Sequence, residues 1–145
     1  MPLRHQYHLR KSDRGILAWN VNRLIALTVG LKVEQVRLSD IAELDEPHWF
    51  GPEGDSPTCR VVSRHARLIA EADLNYPIII DDSGRVLDGM HRVCKALGEG
   101  ADTILAYRLD ELPDPDHEGV DPATLSYETE GEVRPEYDKE VEQGS

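Results

Sequence analysis

Residues 76–98, YPIIIDDSGRVLDGMHRVCKALG, pass from strand pattern to helix pattern with almost nothing between. YPIII is a β-branched run of strand length, Asp81-Asp82-Ser83-Gly84 is turn chemistry, and residues 85–87 return as a second strand. Asp88-Gly89 then leads directly into Met90-His91-Arg92, after which Val93, Cys94, Ala96 and Leu97 fall at helical spacing and Gly98 and Gly100 end the run. A hairpin feeding a helix predicts an α+β fold, a small mixed β-sheet packed with helices.

The junction concentrates devices that hold phosphate. Gly89 lets the backbone turn sharply and approach a ligand. The first turn of the helix offers unpaired N–H groups and a positive dipole end. His91 and Arg92 add side-chain donors, and a guanidinium can grip phosphate oxygens two at a time. Asp88 could hold Mg²⁺ or act as a base toward a hydroxyl nucleophile. The plainer alternative is that Asp88 caps the helix while His91 and Arg92 are solvated first-turn residues.

The flanking sequence extends the α+β pattern. Asn20 is a candidate N-cap for a helix over 21–29, inside an N-terminal extension of residues 1–32. Residues 33–38 alternate, with Val36 and Leu38 on one side, as a half-buried strand does. Residues 42–57 hold three prolines, two glycines and five acids, so they form a long loop, which carries Glu46, Trp49 and Phe50. A helix from about Pro57 to Ala72 would bury Val61, Val62, His65, Leu68, Ile69 and Ala72 and present Arg60, Arg64 and Arg67 as a cationic stripe. Residues 103–109 read as a last strand, and the folded core as 33–112.

Charge is divided unevenly. Residues 110–145 hold 13 acids against Arg134 and Lys139, so they carry −11 of the formal net charge of −12. Residues 113–145 therefore read as an acidic, disordered tail. The remainder is close to neutral and lacks the basic footprint of a duplex-binding protein, which argues against nucleic acid as a partner. No apolar run approaches the length of a membrane span. Cys59 and Cys94 make no disulfide framework, as expected of a reducing, cytoplasmic setting. His48, His65 and His91 show no paired-ligand helical spacing, so no metal site is expected from them.

Residues 33–110, and above all the stretch YPIIIDDSGRVLDGMHRVCKALGEGADTILAYRL, resemble the ParB/sulfiredoxin superfamily, in which a hairpin leads into a Gly-x-x-Arg turn and a helix. The resemblance implies a nucleotide held at Gly89, Met90, His91 and Arg92, with Mg²⁺ and ATP, ADP or CTP as the candidate ligands. It implies contacts from Arg60 and Ser63 on the preceding helix. Asp88-Gly89-Met90-His91-Arg92 is closest to the turn of the free-serine kinase branch, which implies phosphotransfer to a small hydroxyl compound or nucleotide hydrolysis. Asp88 and Glu46 are then the candidate catalytic carboxylates. Trp49 falls where that branch carries a catalytic Glu, and as a flat apolar ring it could stack on a base. Met90 stands where sulfiredoxins carry their reactive Cys, and a thioether cannot attack as a thiolate does. An acidic segment follows this core in place of the helix-turn-helix of partition proteins. The competing expectation is a non-catalytic protein-interaction module that retains the fold, and a DNA-associated ParB-like protein comes third.

Overall fold

The computed structural model describes residues 7–51 and 54–119. The elements are β1 (Tyr7–Ser12), β2 (Gly15–Asn20), α1 (Val21–Ala26), β3 (Glu34–Arg37), α2 (Cys59–Glu71), β4 (Ile78–Ile80), β5 (Val86–Asp88), α3 (Met90–Gly98), β6 (Thr103–Arg108) and β7 (His117–Glu118). Short 3₁₀ turns at Leu38–Asp40 and Ala42–Asp45 follow β3. The chain is thus an α+β fold.

Its main sheet runs β3-β6-β4-β5. The outer pairs are antiparallel and β4 lies parallel to β6. Side chains alternate across a strand, so the three isoleucines of β4 serve two cores. Ile78 and Ile80 join Val36, Val86, Ile104 and Ala106 on the face covered by Met90, Val93 and Ala96 of α3. Ile79 and Leu87 point the other way, onto Leu17, Trp19 and Leu24. Burying each of these isoleucines contributes about 1.5–3 kcal/mol.

The second core corrects the expectation for the N-terminus. Residues 7–20 are not simply a leader to a helix but the β1–β2 hairpin, in register from Tyr7↔Asn20 to Ser12↔Gly15. Gly15 takes φ 86°, and the Ser12 hydroxyl donates to the Gly15 carbonyl while accepting from the Arg14 N–H. The polar Ser-Asp-Arg-Gly turn and the alternation of Leu17 and Trp19 are the signals that mark this hairpin. Asn20 does cap α1, accepting from the Asn22 N–H, and that helix ends at Ala26, short of the expected 29.

The tail boundary also moves. Residues 113–119 are part of the fold, because β7 pairs with β2. The Pro113 carbonyl accepts the Trp19 indole N–H at 2.7 Å. The Asp116 carboxylate accepts the Asn20 N–H and pairs with Arg23. These acids act as caps and ion-pair partners, a use that bulk composition does not reveal. The rest of the expected tail, 120–145, lies outside the described residues. Leu68 of α2 and Ala72 just after it are buried as expected, but Val62 is exposed. Among the described residues no helix is long and apolar enough to cross a membrane.

Candidate functional site

β5 ends at Asp88 and α3 begins at Met90, so Gly89 alone makes the corner. It adopts φ 108°, and a Cβ there would lie 2.7 Å from Ile78 Cγ2 and 3.1 Å from Arg92 Nη2. Both conformation and space require glycine. The turn sits under cover: Met90 and His91 are buried, and Arg92 has no exposure at all.

Arg92 is committed inward. Its Nη1 donates to the carbonyls of Tyr76 and Pro77 at 2.8 and 2.7 Å. Its Nη2 donates to Asp88 Oδ2 at 3.1 Å. The guanidinium therefore ties the entry of β4, the end of β5 and the first turn of α3 into one unit. The expected bidentate grip on phosphate is replaced by a grip on backbone carbonyls, whose partners leave no trace in the sequence. Asp88 is correspondingly buried and held by its arginine. It does not fit a Mg²⁺ ligand or a solvent-facing base. Among the described residues no group of three or more His, Cys, Asp or Glu side chains is placed to hold a metal.

Glu46 is also engaged. Arg85 donates to both of its oxygens at 2.8 and 2.9 Å, and that hydrogen bonding holds the Glu46 carboxyl below its usual range. Arg85 Nε reaches the buried Glu43 carboxylate at 3.2 Å, and Glu43 accepts the Val86 N–H at 2.8 Å. Glu43 thus anchors the loop after β3 to the central hairpin. Its place in an acid-rich stretch disguised that role.

What the structure brings together at the turn is aromatic. His65 Nδ1 of α2 and His91 Nε2 of α3 lie 2.8 Å apart in a hydrogen bond. The Trp49 ring stacks on both, with centroids 4.2 and 4.6 Å away and planes tilted 19° and 17°. His48 and Phe50 meet the same indole edge-on. Of the expected site residues, Trp49 and His91 are thus brought into contact. His65 was legible only as part of the buried face of α2; its partner is 26 residues away, a separation with no local signature. Arg60 and Ser63 are exposed on α2, and among the described residues no contact links them to the turn.

A second polar cluster fixes the hairpin turn to the N-terminal strands. Arg10 donates to Asp81 at 2.8 Å and to His8 Nε2 at 2.9 Å, and lies over the Trp19 ring. Burial, reinforced by the Arg10 charge, pushes His8 down to about 3. Burial would raise Asp81, but hydrogen bonds from Arg10, the Arg85 N–H and Ser83 outweigh it and hold the carboxyl at about 2. Both groups bind fewer protons folded than unfolded. Stability is therefore full near neutral pH. It is lost through His8 as pH falls from its ordinary 6.5 toward 3, and through Asp81 from 3.8 toward 2. Thermal unfolding midpoints should fall steadily across the His8 window. In His8→Gln, which keeps an acceptor for Arg10 but does not titrate, the fall should be confined to the lower, carboxylate range. An unchanged pH profile in that variant would remove His8 from the account.

No protein-family model, no curated protein and no solved structure matches the chain.

Proposed function

We propose that this chain is a nucleotide-binding protein whose site is the first turn of α3 together with the Trp49–His65–His91 stack. The observation that carries the reading is the hydrogen-bonded imidazole pair at that turn with one indole lying flat on both rings. A nucleotide needs two things, a flat surface for its base and N–H groups for its phosphates. Stacking serves any base through its π-face, and the N-terminus of a helix favours negative charge. The sequence resemblance over 33–110 supports the same ligand class. In this reading Arg92 is a positioning residue and Mg²⁺ enters only as the counter-ion of the nucleotide. The carboxylates Asp88 and Glu46 are each held by an arginine. Hydrolysis or phosphotransfer through them is therefore left out of the proposal. The thiols, both free, fit a reducing cytoplasmic setting.

Calorimetric titration with ATP, ADP, CTP and GTP in the presence of Mg²⁺ tests the reading. Trp49→Ala should weaken binding by about 1–3 kcal/mol, the usual worth of one stacked base. Arg60→Ala should leave it unchanged. Absence of heat with every nucleotide, from protein with native circular dichroism, would overturn the proposal. The second reading, a non-catalytic interaction module, draws on the enclosure of Arg92 and Asp88, and that outcome would favour it.

A further inference from the structure

Arginines in this structure come with carboxylates. Among the described residues, every arginine except Arg60 and Arg64 faces an Asp or Glu. The two exceptions are four residues apart on α2, and Arg67 continues their row. Glu71 is the only acid on the helix and stands 3.9 Å from Arg67. Like charges at this spacing repel, so a helix of this kind gains from an anionic cover.

The chain contains such a cover. Residues 120–145 carry Asp121, Glu128, Glu130, Glu132, Glu136, Asp138, Glu140 and Glu142 against Arg134 and Lys139, a net −6. Counted from Gly119, the last described residue, they can extend on the order of 90 Å. A domain of this size is about 35 Å across, so every face is within reach. Carboxylates can engage guanidinium groups in paired hydrogen bonds.

We propose that the acidic C-terminal segment, residues 120–145, docks on the Arg60–Arg64–Arg67 row of α2. Among the described residues no hydrogen bond or ion pair links Arg60, Arg64 or Arg67 to the turn of α3. It is electrostatic and exposed, and salt weakens it.

Cys59, exposed at the start of α2, supplies the reporter. A nitroxide attached there in the full chain, with Cys94→Ala removing the second thiol, should broaden the amide signals of residues 120–145 at low salt. The signals should return at about 1 M NaCl, where the Debye length is about 3 Å. They should also return at low salt in Arg60→Glu/Arg64→Glu, where Arg60 is exposed and Arg64 half-buried, with native folding of the variant checked by circular dichroism. Full signal intensity at low salt overturns the proposal. Broadening that survives the charge reversal overturns α2 as the docking face. Broadening of isotope-labelled, spin-free chains by unlabelled, spin-labelled ones overturns docking within one chain and assigns the contact to a second copy.

Discussion

Arg92→Ala should cost about 3–5 kcal/mol of unfolding free energy, a large fraction of the stability of an ordinary domain. The side chain has no exposure, and its removal leaves the Asp88 carboxylate buried without its counter-charge. It also strips the carbonyls of Tyr76 and Pro77 of their donor. Arg92→Lys should rescue little, since one ammonium cannot span the three acceptors that the planar fork reaches. Urea denaturation of the three proteins measures the effect. A loss under about 1 kcal/mol for the alanine variant would mean that the pair is not the fastening described here, since surface ion pairs fall in that range. The prediction governs how ligand experiments are read: failure of Arg92→Ala to bind a nucleotide would report the fold and not the site.

Gly89→Ala should be the second large effect. Its left-handed backbone costs a residue with a Cβ about 1–2 kcal/mol. The new Cβ would also press on Ile78 Cγ2 at 2.7 Å, and overpacking of this kind costs about 1–3 kcal/mol more. Ile78 is a fully buried member of the main core, with little room to retreat. Gly84→Ala is the control. Gly84 has a similar positive φ of 91° but nothing within 4 Å of the added carbon, so it should show the backbone cost alone. Equal losses for the two variants would remove the contact with Ile78 from the account.

Features set by local physics are legible in the sequence. The hairpin of residues 76–88, the corner at Gly89 and the α3 helix are written in alternation, turn chemistry and helical spacing, and the structure has them as β4, β5 and α3. The Asn20 cap was legible for the same reason. Other features depend on groups distant in the chain. Arg92 reads as a surface cation because its acceptors are main-chain carbonyls, which every residue possesses. Asp116 reads as one more acid in an acidic stretch, yet it caps the N–H of Asn20 across 96 positions. The stack of Trp49 on His65 and His91 unites a loop and two helices. In the sequence, the length of the loop and the flat ring of Trp49 point toward a site, but nothing pairs that ring with His65 or His65 with His91.

The central claim is that the imidazole pair and its indole are where a nucleotide meets this protein. Ring-nitrogen NMR of the full chain during titration with Mg²⁺-nucleotide addresses it most directly. The account predicts that the His65 and His91 ring nitrogens and the Trp49 indole N–H shift together and saturably. The guanidinium signals of Arg92 should stay in place, because its partners are internal. Saturable binding that moves other residues and leaves these three rings unchanged would contradict the claim.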